Sequence, residues 1–531
     1  MISTLFVLLA CIQEPTPWAD VHVMSRLDEG IGGPKAQGRV GDYIIENDKI
    51  RVVVLGPRAS FGPGLFGGSI LDADLRRTGA RWANGHGNDH FAELNPTVNL
   101  DVSRVDMESQ FEMLEGPDGE AILRVRGTGT PYLNILTPLR ALTPANEPNV
   151  AFVTDYTLAP GESWLTMSTT VTVIPAFESG VADLDSELVD EVVPGASVVD
   201  SALGGGISMG DFYQQGGSVD AFMPNIGYDE TGAVYEAANS DRNLFTDPFN
   251  PDFLGGIANG VSYGLSPASG IFAIPLFASS QTVAFGGLTY EEPQIGDSYT
   301  YERYFSIGQG DIGSVLEGFL RAKSEPFGTV SGFVVEDITA EPLSGAHVFV
   351  YAEGESAPYM DWITDVSLDD NDHDGSFGGA IPVGNWDLVV HQEGRETSGR
   401  VPIQIDEGES LEVVLIGGQA GGVSFTIRDE TGMELPGKVT VIPTDDRPAL
   451  RDPILGDSYI SGDPEVVLFA PYGNADTHLP PGDYIAYATR GLEYDLDAVN
   501  FSVAIGGETH VDLQVVRAID TSGWISADLH V

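Results

Sequence analysis

The stretch that decides the fold is residues 153–172, with the sequence VTDYTLAPGESWLTMSTTVT. Its two halves are rich in β-branched and aromatic residues, a composition typical of β-strands. The segment between them, Ala-Pro-Gly-Glu-Ser, contains the residues that favour a tight turn. The stretch therefore predicts an antiparallel hairpin within a β-sheet domain.

Further strand patterns surround this hairpin and are separated by glycine and proline. Residues 41–54 contain two strand-like runs around an Asn-Asp turn and predict a second hairpin. The two strands of the first hairpin extend over residues 150–158 and 164–174. The other predicted strands are residues 121–126, 271–277 and 299–307. This succession predicts a mainly β protein that begins with one large antiparallel β-sandwich over residues 19–325.

Two segments of that region depart from the strand pattern. Residues 312–323 predict an amphipathic helix. Its apolar face is formed by Val315, Leu316, Phe319 and Leu320. Residues 183–264 are rich in glycine and aspartate, and they predict long surface loops packed over one end of the sandwich, where binding sites often lie.

The following two hundred residues contain an internal repeat. Each copy has a strand at its start, a turn with proline and glycine before the next strand, and later a Pro-x-Gly-x-aromatic segment that ends at Trp386 or Tyr484. Order and spacing agree between the copies. They predict two small tandem β-sandwiches, residues 326–418 and 419–520, of the transthyretin or immunoglobulin-like kind, in which the aromatic residue anchors a sheet.

The composition limits the possible partners. The chain has 531 residues and a formal charge of −54, from 79 acidic and 25 basic residues. Such a surface repels phosphate backbones, so nucleic-acid binding is not expected. An acidic exterior suits a protein in salt water or one that binds divalent cations, although it also suits any soluble protein.

Cys11 is the only cysteine and ends the sequence Leu-Leu-Ala-Cys, which has the form of a bacterial lipobox. A short apolar run precedes it and a polar, proline-containing tether follows. We therefore expect residues 1–18 to be a lipoprotein signal and tether that hold an extracytoplasmic protein on the outer membrane. An ordinary cleaved signal and a misassigned start codon are the alternatives, because no lysine or arginine precedes the apolar run.

Two parts of the chain resemble known folds. Residues 326–418 resemble the carboxypeptidase regulatory-like, transthyretin-like domain, through the Pro-x-x-Gly-Ala turn, the Asp-Gly-x-Phe tip and the Pro-x-Gly-x-Trp segment. The hairpin at residues 153–172 is similar in pattern to the central hairpin of the galactose-mutarotase-like supersandwich. Both resemblances imply folds made of β-sandwiches.

The C-terminal sequence Gly-Trp-Ile-Ser-Ala-Asp-Leu-His-Val, residues 523–531, has the alternation of a β-strand that points Asp528 and His530 the same way. It resembles the first barrel strand of the PHP (polymerase and histidinol phosphatase) superfamily of metal-dependent hydrolases, in its carbaryl-hydrolase-like branch. That branch also has an Arg-Gly-x-Glu-Tyr motif before the barrel. Here Arg490, Gly491, Glu493 and Tyr494 match it, about thirty residues before Trp524.

The resemblance implies a centre of two or three metal ions (Zn, Mn or Fe) in an intact enzyme that hydrolyses phosphoesters or related esters. His530 would be one ligand and Asp528 would support it, and Glu493 would face the active site unless it is a plain surface residue. Residues 521–531 would be the first strand of a truncated barrel. A single imidazole cannot hold a catalytic metal, so we expect this chain to be inactive by itself.

Two further groups could bind ligands. Asp370, Asp372 and Asp374 alternate before a glycine like the first half of a calcium loop, but Ile381 occupies the place of the closing glutamate, so a charged hairpin tip is the alternative. His86, Asp89 and His90 form the only histidine cluster and could bind a metal or a sugar. Histidines in glycine-rich loops are more often simply solvated.

Three hypotheses follow. The chain is the non-catalytic, cell-surface region of a PHP-type hydrolase, or it is a lipid-anchored protein whose sandwiches bind glycan or neighbouring surface proteins, or it is a structural stalk. The reading frame after the Val531 codon separates the first from the others.

Overall fold

A computed structural model describes residues 16–62, 64–98, 101–131, 149–174, 207–228, 240, 247–270, 272–274, 288–289, 294–368, 373–444 and 464–525. These residues form thirty β-strands and a single α-helix longer than one turn. The prediction of a mainly β protein is therefore confirmed. No helix in the described ranges has the length and apolar character needed to cross a membrane.

The first region is built on one long antiparallel sheet. Its strands are β1 (Ala19–Val23), β2 (Tyr43–Asn47), β3 (Ile50–Val54), β4 (Ile70–Leu75), β5 (Phe91–Val98), β6 (Asp101–Arg104), β7 (Phe111–Glu115), β8 (Ala121–Pro131), β9 (Asn149–Leu158), β10 (Trp164–Ile174), β11 (Ile207–Gln215), β12 (Asp220–Phe222), β13 (Leu254–Ala258), β14 (Val261–Pro267), β15 (Leu288–Thr289) and β16 (Ser298–Gly308). The main order is β1-β2-β3-β4-β5-β6-β8-β9-β10-β16-β14-β13-β12, and β11 pairs with β5 and β15.

This sheet folds over, so that β1 and β2 face β8 and β9 while β4 faces β16. The two layers enclose an apolar core. In this core the ring centroid of Phe91 lies 5.1 Å from that of Phe305 and 5.2 Å from that of Tyr263. A large antiparallel β-sandwich is thus present as predicted. The hairpin predicted for residues 153–172 is β9–β10, with Thr157 opposite Thr166, and it lies near the middle of the strand order.

The helix is α1 (Ile312–Ala322), and its predicted apolar face is buried. Asp311 caps its first turn by accepting a hydrogen bond from the Ser314 amide at 2.9 Å. The predicted hairpin at residues 41–54 is β2–β3. Of the predicted strand 271–277, residues 271 and 275–277 lie outside the described residues, and Ile274 makes an isolated bridge to Phe249.

The prediction of surface loops for residues 183–264 is wrong for the part that the structure describes. That part contributes β11, β12, β13 and most of β14, all within the sheet. The glycines there make room for the helix, because a Cβ on Gly264 would lie 2.2 Å from Val315 Cγ1 and one on Gly255 would lie 2.8 Å from Ile312 Cδ1. The glycines that suggested loops are needed because the strands pack closely against the helix.

The two small sandwiches have the same topology. The first contains β17 (Phe327–Val335), β18 (His347–Ala352), β19 (Met360–Ile363), β20 (Ser376–Pro382), β21 (Gly384–His391), β22 (Val401–Ile405) and β23 (Ser410–Ile416). The second contains β24 (Gly421–Arg428), β25 (Gly437–Pro443), β26 (Val466–Ala470), β27 (Asn474–Leu479), β28 (Gly482–Thr489), β29 (Asp497–Val503) and β30 (Glu508–Gln514). The sheet orders β20-β17-β23 and β19-β18-β21-β22 recur as β27-β24-β30 and β26-β25-β28-β29.

The aromatic anchors are equivalent as well. Trp386 Nε1 donates to the carbonyl of Pro382 at 2.9 Å, and the Tyr484 hydroxyl donates to the carbonyl of Pro480 at 2.7 Å. In each copy the polar atom of a buried aromatic ring thus closes the turn four residues before it. The internal repeat is therefore structural.

The first small sandwich shares its core with α1 and with the large sheet. Trp362 on β19 is fully buried, and a Cβ on Gly313 of α1 would lie 2.4 Å from its ring. A buried carboxylate, Asp361, accepts hydrogen bonds from the Tyr228 hydroxyl at 2.9 Å and from His347 Nδ1 at 2.6 Å. The second small sandwich has a separate core.

Candidate functional site

The Arg-Gly-x-Glu-Tyr motif forms the connection after β28, beside the segment that leaves β30. The Glu493 carbonyl accepts hydrogen bonds from the amides of Ala518 at 2.9 Å and Ile519 at 3.1 Å. The Asp495 amide donates to the Val516 carbonyl at 2.9 Å. The motif therefore pairs through its backbone with the residues that lead towards the C-terminal sequence.

Side chains strengthen this pairing. Arg517 Nη2 lies 2.8 Å from Glu493 Oε2, and hydrogen bonds from Arg517 and Thr521 hold the pKa of Glu493 below its usual range. The Arg517 guanidinium also lies over the Tyr494 ring, 5.7 Å from its centroid. We call Arg490–Tyr494 together with residues 515–521 the exit clamp.

A second arginine joins the exit clamp to the sheet. Arg490 donates to the carbonyl of Pro436, and its guanidinium lies 5.4 Å from the centre of the Tyr494 ring. Next to it is an open cavity of ≈ 600 Å³ that is bordered by Lys438, Thr489 and Leu492. The motif thus bridges β25, β28 and the exit segment.

Apolar side chains near the exit clamp project into solvent. Leu492 is 95% exposed, Trp524 is 83% exposed and Ile525 is 94% exposed. Asp528 and His530 lie outside the described residues, as does Cys11. Within the described residues no three His, Cys, Asp or Glu side chains are arranged to hold a metal ion. The implied hydrolase metal therefore has no ligand set among these residues.

The histidine cluster is divided among separate contacts. His86 is exposed, whereas His90 is buried with its Nδ1 2.7 Å from the Ser218 hydroxyl. Asp89 Oδ1 accepts hydrogen bonds from the amides of Ala73 and Phe91 at 2.9 and 3.2 Å, and its Oδ2 is buried with no partner in the described part of the chain. The described geometry gives Asp89 and His90 structural roles and leaves His86 exposed, and a ligand for the cluster stays a prediction.

The acidic residues around Asp89 were not predicted from the sequence. Asp72 and Asp74 alternate on β4 and are buried with it. Burial raises the pKa of Asp72 to about 7, although it accepts hydrogen bonds from the amides of Gln37 and Gly38. Burial, and then the charge of Asp72, raise the pKa of Asp89. Only the period-two alternation of Ile-Leu-Asp-Ala-Asp-Leu could have indicated carboxylates pointing the same way.

The proposed calcium loop is described only in part. Asp370 and Asp372 lie outside the described residues. Asp374 is exposed, and one carboxylate oxygen accepts a hydrogen bond from the Ser376 amide at 3.0 Å. Asp365 accepts hydrogen bonds from the amides of Gly375 and Ser376. The backbone before β20 is therefore held by the carboxylates of Asp365 and Asp374. Calcium binding there stays a prediction.

Comparison with known proteins gives no family. No family model matches the chain, and no curated protein is similar to it. Among solved structures, the TIE protein of Bacillus anthracis is 15% identical over 50% of this chain and 44% of its own, with a TM-score of 0.16. The shaft pilin SpaA of Lactobacillus rhamnosus GG is 12% identical over 37% of this chain and 98% of its own, with a TM-score of 0.23.

A streptococcal ancillary pilin is 14% identical over 54% of this chain and 86% of its own, with a TM-score of 0.20. Likenesses with such low TM-scores carry no argument about function. The function of this chain is therefore inferred from its own residues.

Proposed function

We propose that this chain is the non-catalytic, extracytoplasmic β-sandwich region of a PHP-type metal-dependent hydrolase, and that its last sandwich orients the strand carrying Asp528 and His530. The observation that supports this proposal is the exit clamp. A flexible tether would need no ordered contacts after β30, whereas here Glu493 binds the segment through its carbonyl and its carboxylate. A fixed exit direction would orient the following strand before a barrel closed around it.

The exposed apolar residues agree with this role. Leu492, Trp524 and Ile525 would be covered by a domain that follows the exit segment, because apolar groups of this size gain free energy when they leave water. In the intact enzyme His530 would bind metal and Asp528 would support it. The metal would activate water for attack on a phosphoester or a related ester.

The extracytoplasmic location is supported by the N-terminal sequence. Cys11 would carry the lipid and residues 12–18 would form the tether. Trp18, the last tether residue, lies under the Arg76 guanidinium, which is 4.8 Å from the ring centre. Growth with an alkyne-labelled fatty acid should label the chain, and C11S should abolish the label. A label that persists in C11S would contradict lipidation at this cysteine.

The hydrolase proposal is tested first by the DNA after the Val531 codon. A frame that continues with histidine and a few hundred residues of α/β pattern is expected, and the protein that it encodes should hydrolyse p-nitrophenyl phosphate with added Mn²⁺ or Zn²⁺. H530A should abolish both the activity and stoichiometric metal content. A stop codon, or an H530A enzyme with full activity, would overturn the proposal.

The role of the exit clamp is tested in the same protein. E493Q combined with R517Q should lower metal content and kcat by about tenfold while the sandwiches unfold at the wild-type temperature, because it misplaces the strand without touching a core. R428Q combined with E434Q is the matched control, since it removes exposed ion pairs of the same sandwich, those of Arg428 with Glu434 at 3.4 Å and with Asp512, and leaves the contacts of the exit clamp in place. Equal effects of the two pairs would refute an orienting role.

A further inference from the structure

A cleft with a volume of ≈ 630 Å³ lies where the large sandwich, the end of α1 and the first small sandwich meet. One wall is the turn before β13, with Asp252 and Phe253. Another is the end of α1, with Lys323 and Glu325, and Tyr359 of the β18–β19 connection forms the third. Three separate parts of the chain therefore meet at one concave site of the size that small ligands occupy.

Asp252 and Tyr359 are held in place within the cleft. The Tyr359 hydroxyl donates to Asp252 Oδ2 at 3.1 Å, and the Ser266 hydroxyl donates to the Asp252 carbonyl at 2.8 Å. The Tyr359 ring packs edge-on against Phe253, with centroids 6.1 Å apart, and lies 5.3 Å from the Trp386 ring. A ligand would therefore meet a positioned carboxylate and a positioned aromatic ring.

Lys323 is the positive group of the cleft. It is half-buried, and it makes no ion pair within 4.0 Å and no side-chain hydrogen bond among the described residues. Burial lowers its pKa, and the nearby Glu325 and Asp252 offset this only in part. An ammonium group that has lost some water without gaining a partner is able to donate to a ligand.

These groups discriminate between classes of ligand. Two carboxylates and a formal charge of −54 disfavour an anion. An apolar ligand would remove water from Asp252, Glu325 and Lys323 without replacing their hydrogen bonds. A small cation would suit the carboxylates but would be repelled by Lys323. A neutral polyhydroxylated ring satisfies all of them, because its hydroxyl groups donate to carboxylates and accept from an ammonium while its C–H face packs on Tyr359.

We propose that this cleft binds a neutral saccharide, with Asp252, Glu325 and Lys323 bonding its hydroxyl groups and Tyr359 packing on its ring. This site lies away from the exit clamp in the sequence, and the proposal is independent of any hydrolase activity. It gives a location to the sandwich-borne glycan binding that the sequence raised as an alternative. A saccharide at this place would contact the large sandwich and the first small sandwich together.

The test uses the full chain and saturation-transfer difference NMR at millimolar ligand. The probes are D-glucose, D-galactose, D-mannose, N-acetyl-D-glucosamine and their β-1,4-linked disaccharides, with inorganic phosphate and putrescine as charged comparators. At least one sugar should give a saturable signal. D252N and K323M should each weaken it by about tenfold, the loss expected for a hydrogen bond to a charged group.

Two control variants distinguish sugar binding in the cleft from nonspecific binding elsewhere on the protein. Y472A removes a tyrosine that is 84% exposed on the second small sandwich, and K438M removes a lysine of that same sandwich. Both should bind sugar like the wild type. Each cleft variant is first shown to unfold at the wild-type temperature, and Y359F serves as a milder variant that loses only the hydroxyl. Three results would overturn the proposal. They are the absence of a saturable sugar signal, a signal in D252N and K323M as strong as in the wild type, and binding of phosphate or putrescine that is tighter than binding of sugar.

Discussion

Asp361 is the residue whose removal should most clearly uncouple the large sandwich from the first small one. Its carboxylate is fully buried and accepts hydrogen bonds from Tyr228 of the large region, from His347 of β18 and, at 3.3 Å, from the Ile312 amide at the start of α1. D361A would leave these donors in the shared core without their acceptor.

The expected loss follows from that geometry. A buried donor left unsatisfied costs ~1–3 kcal/mol. The Tyr228 hydroxyl is buried and the His347 side chain is 19% exposed, so the loss of their shared acceptor should lower the free energy of unfolding by about 3 kcal/mol. D361N keeps the volume and one acceptor oxygen, and it should lose about half as much. D387N is the matched control in the same sandwich, because its ion pair with Arg400 at 3.1 Å is partly exposed and should contribute under ~1 kcal/mol.

Urea unfolding followed by tryptophan fluorescence measures these differences, since Trp362 lies buried beside the mutated residue. Hydrogen exchange of the α1 amides provides a second measurement, and D361A should accelerate it selectively. A D361A protein that unfolds at the wild-type urea concentration would refute the claim that this carboxylate joins the two regions. Equal losses in D361A and D387N would refute it as well.

Three further predictions concern stability. G313A should lower the melting temperature although alanine favours helices, because the added methyl group would overlap Trp362, at a cost of ~1–3 kcal/mol. Burial lowers the pKa of His391 to about 4, so below pH 6.5 the unfolded chain binds a proton that the folded chain does not. Up to ~3 kcal/mol of the free energy of unfolding should therefore be lost as the pH falls from 6.5 to 4, as measured by calorimetry. D211A should cost ~3–5 kcal/mol in urea unfolding, because it leaves the buried Arg303 guanidinium without its carboxylate, 2.6 Å away.

Each of these predictions has its own control. G399A adds the same methyl group where no atom lies within 4 Å, and it should not change the melting temperature. H391Q should flatten the pH dependence between 6.5 and 4, and a wild-type profile in H391Q would contradict the assignment to this residue. D211L combined with R303M should recover part of the loss in D211A, and a double variant as unstable as the single one would contradict the unpaired-charge argument.

Strand pairs joined by short turns were predictable from residues adjacent in sequence. The stretch of residues 153–172 specifies β9–β10 because apolar and β-branched runs flank a Pro-Gly turn. The two copies of the small sandwich were predictable because the same turns recur at the same spacing. Helix α1 was predictable because a period of 3.6 residues is local.

The residues of the candidate sites were predictable only in part. The Arg490–Tyr494 motif stood out in the sequence, but its pairing with residues 515–521 depends on how β28 and β30 are placed in the fold. The cleft residues carried no signal, because Asp252, Lys323 and Tyr359 come from segments far apart in the chain and form no motif.

The sequence by itself determined the mainly β class, the hairpins, the helix and the tandem repeat, since alternation, turn chemistry and helical period act between near neighbours. Tertiary structure decided which glycine-rich and aspartate-containing segments are strands. Asp211 became a core residue because Arg303, 92 residues away, neutralises it, and the strands around Gly264 formed because α1 packs where no side chain would fit. The burial of Asp211 and the formation of these strands depend on contacts between segments that are distant in the sequence, and those contacts exist only in the folded chain.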